Sequence, residues 1–313
     1  MTWREVCEAD LIECLNIEPR HLGDEIVGSE RAIAIWKKLI RSRSFHSSVI
    51  EYLTPLGKKK IVDFGTSVFV TADFVDRELE HPRPHLNSRF LAGIADGDSI
   101  VIPENSLCDA DAPKPLDVLI LGGNSPTRKQ GLTPDQAAQA AILLPFSFEE
   151  LHVGYRLNRI LTETVSEPQR NLYESSVVWR TFKTYPEHDR ALVVMTREQA
   201  LAVSGSVAAS LFLYQEPVLR LRDTDKHLLS EAMHGETDAE LSAKLNLSLS
   251  TVKKRWNSLF ARIAGVRPDL LPDGDNLRGN ESRGLQKRHR ILSYVRAHPQ
   301  EVRPYRWRSF KQI

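Results

Sequence analysis

The chain contains 313 residues, of which 41% are hydrophobic and 27% are charged, and its formal net charge is +1. This length exceeds what one hydrophobic core usually supports, so we expect more than one domain. No apolar run is long enough to span a bilayer, and the acidic first fifteen residues lack the basic-then-apolar order of a secretory signal. These features favour a cytoplasmic protein with no membrane partner.

The near-neutral total hides an uneven distribution of charge. Residues 217–313 contain 19 Lys and Arg against 11 Asp and Glu, a net charge of +8. Residues 1–216 hold the other 23 basic residues against 30 acidic ones, a net charge of −7. A basic segment attracts a polyanion such as DNA and an acidic segment repels it, so we expect the two parts to have different roles.

The three cysteines, Cys7, Cys14 and Cys108, are too few and too scattered for a disulfide framework. Cys7 and Cys14 are seven residues apart, so we expect them to pack on one face of a helix. His81 and His85 are four residues apart, but the two prolines between them keep them off a common helix face. We therefore predict no metal site and no cofactor.

The first hundred residues predict helices and a hairpin. Residues 3–17 have helical spacing, and residues 29–42 form an amphipathic helix. Residues 49–53 and 61–70 are β-rich runs on either side of a Gly-containing turn, which is typical of a β-hairpin. Residues 86–94 again have helical spacing.

The second hundred residues mix strands and helices. Residues 99–103 and 116–123 are strand-like, and the second run is apolar enough to be buried on both faces. Thr133 and Gln136 form a capping box that opens a helix. The remaining predictions are a helix over 149–165, strands over 177–182 and 191–195, and a helix over 197–214. This mixture predicts an α/β or α+β domain over residues 1–216.

The segment 121–131 places glycines directly after a buried strand, with Arg128 and Lys129 nearby. Such loops can bind phosphate through backbone N–H groups. The segment has neither the dinucleotide-binding nor the Walker pattern, so a plain strand-to-helix turn is the preferred interpretation. The spacing shows no catalytic triad or carboxylate pair, and we predict no catalytic residue.

Residues 237–263 predict two short helices joined by a tight turn. Thr237 and Glu240 form a capping box at the start of the first helix. Asn246 falls at the turn, where Asn tolerates the left-handed conformation, and Ser248 suits the N-cap of the second helix. That helix has a basic, amide-bearing face, which suits insertion into a DNA major groove. Its opposite, buried stripe comprises Val252, Trp256, Leu259 and Ile263.

The segment from Leu221 to Val266 resembles the LuxR-type (GerE-type) helix-turn-helix domain of bacterial transcription regulators. Residues 237–245 match the family's S-N-K-E-I-A-x-x-L pattern, and residues 247–253 match its L-S-x-x-T-V-K pattern. Asn246 stands in place of the usual turn glycine.

The resemblance implies a DNA interface at the start of the second helix, in an all-α domain that binds double-stranded DNA. Lys can donate to guanine and Asn can pair with adenine, whereas Thr and Arg suit phosphate. Regulators of this kind usually pair half-sites, so we expect a homodimer. The expected base contacts are Lys253, Lys254 and Asn257, and the expected backbone contacts are Thr237, Thr251 and Arg255, with Ser250 in the same interface.

The DNA-binding domain is predicted over residues 217–266 and is followed by a linker and a basic C-terminal helix over 267–313. Residues 267–284 are polar and rich in Gly and Pro, as in linkers. Residues 285–298 form a basic amphipathic helix with Ile291, Leu292 and Val295 on its apolar side. The basic, aromatic-containing residues 303–313 either contact phosphate or a partner, or form a solvated tail, which is the preferred interpretation.

The order helix, strand, hairpin strand over residues 29–70 resembles the start of an acetyltransferase (GNAT-type) fold, without that family's Gly-rich loop. We expect a transcription regulator whose first domain senses a small-molecule effector or mediates dimerisation. The alternative is an acyltransferase-like enzyme that carries an accessory DNA-binding module. A third hypothesis, a sigma-factor-like protein, is disfavoured by the β-rich first domain.

Overall fold

In the computed structural model the described residues form a seven-stranded sheet and thirteen helices, which confirms the expected mixture of α and β structure. The chain divides into two compact units, Met1–Leu213 and Tyr214–Ile313. Among the described residues, no helix combines the length and the apolar character needed to cross a membrane. The structure describes residues 1–17, 29–54, 56–107, 114–122, 132–271 and 280–303.

The first unit is built on a mixed sheet with the strand order β1-β2-β3-β4-β5-β7-β6. Strands β4 and β5 are parallel, and every other neighbouring pair is antiparallel. The predicted hairpin is confirmed as β2 and β3, and the strands predicted near 116 and 191 are confirmed as β4 and β7. The strands are β1 (Thr2–Glu5), β2 (Phe45–Leu53), β3 (Lys59–Val70), β4 (Leu116–Gly122), β5 (Leu157–Thr164), β6 (Arg180–Tyr185) and β7 (Arg190–Thr196).

Helices pack on both faces of this sheet, because successive side chains of a strand point to opposite sides. Val49 of β2 belongs to the same buried cluster as Trp36, whereas its neighbour Ile50 clusters with Leu144. Those partners lie on α2 and α6, respectively. The helices of this unit are α1 (Leu11–Ile17), α2 (Ser29–Arg41), α3 (Ala72–Glu80), α4 (Leu86–Asp96), α5 (Glu104–Leu107), α6 (Pro134–His152), α7 (Glu167–Glu174), α8 (Arg197–Ala202) and α9 (Val207–Phe212).

The predicted helix over residues 3–17 is wrong in its first half. Strand β1 forms there instead and pairs with β2, so edge pairing with a buried strand overrides the local helical spacing. A turn follows, which the Asp10 carboxylate closes by accepting a hydrogen bond from the Cys7 N–H at 2.8 Å. Cys7 and Cys14 consequently do not share a helix, and Cys14 is the buried one of the two. Cys108 lies outside the described residues.

The predicted helix over residues 149–165 is wrong beyond His152, where α6 ends. Gly154 has a φ of 91°, a left-handed conformation that interrupts the helix. Residues 157–164 form β5, which lies between β4 and β7 in the middle of the sheet. Its buried apolar residues Leu157, Ile160 and Leu161 have the i, i+3, i+4 spacing of a helix face, so the local pattern favours a helix.

Three further predictions need correction. Residues 99–103 add no strand to the sheet, and only Val101 forms a bridge, to Val70. Strand β6 starts at Arg180 instead of residue 177. The helix predicted over 197–214 is two short helices, α8 and α9, because Gly205 between them has a φ of 76°.

The described residues of the second unit form four helices around one hydrophobic core. Helix α13 contributes Ile291, Leu292 and Val295 to this core, as its predicted apolar side requires. Parts of the predicted linker (272–279) and tail (304–313) lie outside the described residues. The helices are α10 (Asp223–Ala232), α11 (Asp238–Lys244), α12 (Leu249–Val266) and α13 (Asn280–Ala297).

Candidate functional sites

The start of α11 is fixed by the predicted capping box. The Thr237 hydroxyl oxygen accepts a hydrogen bond from the Glu240 N–H at 3.3 Å, and the Glu240 carboxylate accepts one from the Thr237 N–H at 2.7 Å. The Thr237 hydroxyl also donates to that carboxylate at 2.8 Å. These bonds satisfy N–H groups that a helix start leaves unpaired.

The turn between α11 and α12 is closed by Ser242 and Asn246. Asn246 has a φ of 52°, so it adopts the left-handed conformation expected of it. The Ser242 hydroxyl donates to the Leu247 carbonyl, and the Leu247 N–H donates to the Ser242 carbonyl at 3.0 Å. Ser248 then caps α12 by accepting a hydrogen bond from the Thr251 N–H at 3.2 Å. The chain direction therefore changes within three residues.

The inner face of α12 is the predicted apolar stripe. Val252, Leu259 and Ile263 are fully buried, and Trp256 is 4% exposed. The Arg288 guanidinium of α13 lies over the Trp256 ring, 4.9 Å from its centroid. This packing fixes which face of α12 points outward.

The outer face of α12 brings together four of the seven predicted DNA contacts. Ser250, Lys253, Lys254 and Asn257 are exposed, and at 3.6 residues per turn they lie away from the Val252 stripe. Thr251 and Arg255, which are half-buried, lie on one flank of the same helix. Thr237 is at the start of the preceding helix, α11.

The positive charge in the first half of α12 is not neutralised by any acidic side chain that the structure describes. Among the described residues, no acidic side chain forms an ion pair with Lys253, Lys254 or Arg255. Other basic residues of the second unit do form ion pairs with acidic side chains. These pairs are Lys244 with Glu236, Arg262 with Asp225, Arg267 with Asp269, and Arg288 with Asp238.

The three predicted hydroxyl contacts already have partners within the protein. The Thr251 and Ser250 hydroxyls lie 2.8 and 2.9 Å from the Ser248 hydroxyl. At Thr237 the Glu240 carboxylate occupies the helix start, and the Thr237 N–H and hydroxyl lower the pKa of that carboxyl. A phosphate approaching α11 therefore meets a negative charge at this position.

Two polar residues of the second unit were not identified from the sequence. His227 of α10 is buried, and burial together with the positive charge of Arg255 lowers its pKa to about 4. Glu301 is fully buried, and its carboxylate accepts hydrogen bonds from the N–H groups of Val218 and Leu219 at 2.9 Å each. No local pattern marks Glu301, because its partners are more than eighty residues away.

The first unit contains a cavity of about 570 Å³ between α6, α7, α9 and the sheet. Its lining includes Ser48, Ser67 and His152: the Ser48 hydroxyl lies 2.7 Å from the buried Ser147 hydroxyl, and the Ser67 hydroxyl lies 3.0 Å from His152 Nε2. The glycine-containing segment 121–131 contributes Gly122 to the lining of this cavity. Its residues 123–131 lie outside the described part of the chain.

No family model matches this chain, and no characterised protein sequence matches it.

Proposed function

We propose that this chain is a transcription regulator that binds double-stranded DNA through α12. The observation that supports this proposal best is the set of cations on the outer face of α12 that form no ion pair with any described residue. Lys253 and Lys254 are exposed beside Asn257 in the first turns of a capped helix. A helix with this face fits the width of a major groove, and its N-terminal residues then meet the base edges.

The proposed contacts divide into two groups. Lys253, Lys254 and Asn257 contact bases, since Lys donates to guanine O6 or N7 and Asn pairs with adenine through two hydrogen bonds. Arg255 and Thr251, on the flank of the helix, contact phosphates, with Ser250 in the same interface. Because Glu240 shares the start of α11 with Thr237, we assign Thr237 the weakest phosphate contact of the set.

The first unit is proposed to sense a small molecule or to hold two copies together. One recognition helix reads only a few base pairs, so a homodimer on paired half-sites is the expected binding species. The cavity in the first unit supports the sensing role, because its volume is that of a small-molecule site.

The test is a selection of duplexes from a random-sequence library by the full chain, followed by affinity measurements over a range of salt concentrations. We expect an enriched motif, and an affinity that falls steeply with salt because bound Lys and Arg release counterions. The Lys253→Ala/Lys254→Ala variant should lose the sequence preference. The control Lys287→Ala/Arg290→Ala removes the same charge from α13 and should keep it. If the α12 variant kept both its affinity for DNA and its sequence preference, the proposal would be refuted.

An acyltransferase-like activity of the first unit is the second candidate. The observation that favours it is the single parallel pair, β4 and β5, with the cavity beside Gly122 at the carboxyl end of β4. Ligands of α/β proteins commonly bind outside the carboxyl ends of parallel strands. Incubation of the purified chain with acetyl-CoA and a panel of amines separates the candidates, because only an enzyme releases free thiol at a rate above the buffer blank.

A further inference from the structure

The walls of the cavity in the first unit are apolar. Helix α6 contributes Ile142 and Phe146, and α7 contributes Leu172. These three side chains are 70%, 47% and 51% exposed, so they form an apolar rim around the mouth. Large apolar side chains grouped in this way mark a binding site more often than a bare surface.

The charges around the cavity disfavour an anionic ligand. Among the described residues that line it there is no Lys or Arg. The acid in the lining, Glu149, already accepts a hydrogen bond from the Ser210 hydroxyl. A negatively charged group placed in the cavity would lose its hydration and gain no opposite charge from these residues.

Two serines that line the cavity, Ser48 and Ser67, offer hydrogen-bond acceptors to a ligand rather than donors. Ser147 donates its hydroxyl hydrogen to the Leu144 carbonyl at 2.8 Å, so in the pair of hydroxyls Ser48 is the donor to Ser147. A hydroxyl has one hydrogen and two lone pairs. Ser48 therefore retains lone pairs and has no hydrogen left to donate.

The same argument applies to Ser67. His152 Nδ1 lies 2.7 Å from the Phe148 carbonyl oxygen, which can only accept, so Nδ1 carries the hydrogen. In the neutral imidazole Nε2 is then an acceptor 3.0 Å from the Ser67 hydroxyl, and the His46 carbonyl, 3.4 Å from the same hydroxyl, is a second acceptor for its one hydrogen. Ser67 thus also retains only lone pairs.

From these observations we propose that the cavity binds an uncharged, largely apolar small molecule that carries one hydrogen-bond donor. The donor group pairs with the oxygen of Ser48 or Ser67, and the apolar part lies between α6 and α7. This ligand class deepens the sensing role and rests on the proposed function, in which binding of the effector changes DNA affinity as a regulatory step.

The test uses the full chain and two fluorescent probes that differ by one charged group. N-phenyl-1-naphthylamine is uncharged and has one N–H donor, and 1-anilinonaphthalene-8-sulfonate has the same rings with a sulfonate. We expect saturable binding of one uncharged probe per chain and binding of the sulfonate weaker by at least about tenfold. Equal binding of the two probes, or no saturable binding of the uncharged one, would overturn the proposal.

Substitutions that fill the cavity locate the bound probe. Ala141 on α6 and Ala208 on α9 both line the cavity, so Ala141→Trp and Ala208→Trp should each abolish binding. Ala72→Trp places the same side chain at an exposed position of α3, a helix that contributes no residue to the cavity lining, and should leave binding unchanged. Circular dichroism melting identifies any variant that is unfolded. The other variant then decides whether the probe binds in the cavity. Probe binding that survives in a folded wall variant places the probe elsewhere and refutes the site.

The regulatory step is measured separately, as the change in affinity for the selected duplex at saturating uncharged probe. A change in the wild type that is absent in Ala141→Trp supports it. Probe binding with unchanged DNA affinity overturns the regulatory step and leaves the site standing. Absence of any DNA binding overturns the proposed function, while the probe measurements still decide the ligand class.

Discussion

The Arg288 guanidinium of α13 covers the ring of Trp256 on α12 at 4.9 Å, and Arg288 also pairs with Asp238 at 2.9 Å. The C-terminal helix thus contacts both helices of the helix-turn-helix motif. A guanidinium over an indole ring contributes on the order of 1 kcal/mol, and burial of the apolar side of α13 contributes more. We infer that α13 stabilises the second unit.

The first expected outcome concerns this helix. Ile291→Ala should lower the free energy of unfolding of the second unit by about 2–5 kcal/mol, because Ile291 is fully buried and the substitution leaves a cavity. Leu285→Ala on the same helix is the control, since Leu285 is 66% exposed and its loss should cost little. Urea denaturation of residues 214–313, followed by circular dichroism, measures both. Similar midpoints for the two variants would show that α13 does not stabilise the unit.

The helix-turn-helix geometry was predictable from the sequence because its determinants are local. The capping box at Thr237, the left-handed Asn246 and the N-cap Ser248 each act within a few residues, and each is confirmed. The stripe through Trp256 follows from helical periodicity alone. A short segment therefore contains the information needed to place these side chains.

The middle of the sheet and the cavity depend on contacts between distant segments. Strand β5 is a strand because β4 and β7 flank it, and its own spacing favoured a helix. The Ser67–His152 contact joins residues 85 positions apart. Glu301 likewise acts on Leu219 from the far end of the unit. Periodicity and capping signals carry no information about such pairings.

The second expected outcome is a loss of stability in mild acid through His227. Its pKa in the folded protein is about 4, below the usual 6.5, because the ring is buried and Arg255 is nearby. Below pH 6.5 the unfolded chain therefore binds a proton at His227 that the folded chain does not bind. The contribution of neutral His227 to the free energy of unfolding is fully present above pH 6.5 and is lost as the pH falls from 6.5 to 4. We expect a decrease of about 1–2 kcal/mol from pH 7 to pH 5. His227→Gln should flatten this pH dependence in urea denaturation of residues 214–313, and an unchanged slope would remove His227 as its cause.

The third expected outcome is that two copies bind one operator. The outer face of α12 offers base contacts over only about one and a half turns, too few for a long site. The selected motif should contain two similar half-sites whose centres are about ten base pairs, or a multiple of that, apart. Analytical ultracentrifugation of the complex should give two chains per duplex. A single half-site bound by one chain would contradict this expectation.

The fourth expected outcome separates base recognition from phosphate binding on α12. Asn257 lies on the outer face and Arg255 on the flank, so Asn257→Ala should relax the preference at one base pair and cost about 1–3 kcal/mol on the preferred duplex alone. Arg255→Ala should weaken binding to all duplexes about equally and reduce the salt slope by about one. The measurement is affinity for the selected duplex and for its single-base variants at several salt concentrations.

Ser258→Ala, a small change on the same helix, is the control for altered folding of α12. If Asn257→Ala weakened every duplex equally, Asn257 would be a phosphate contact, and the orientation of α12 in the groove would have to be rotated toward its flank.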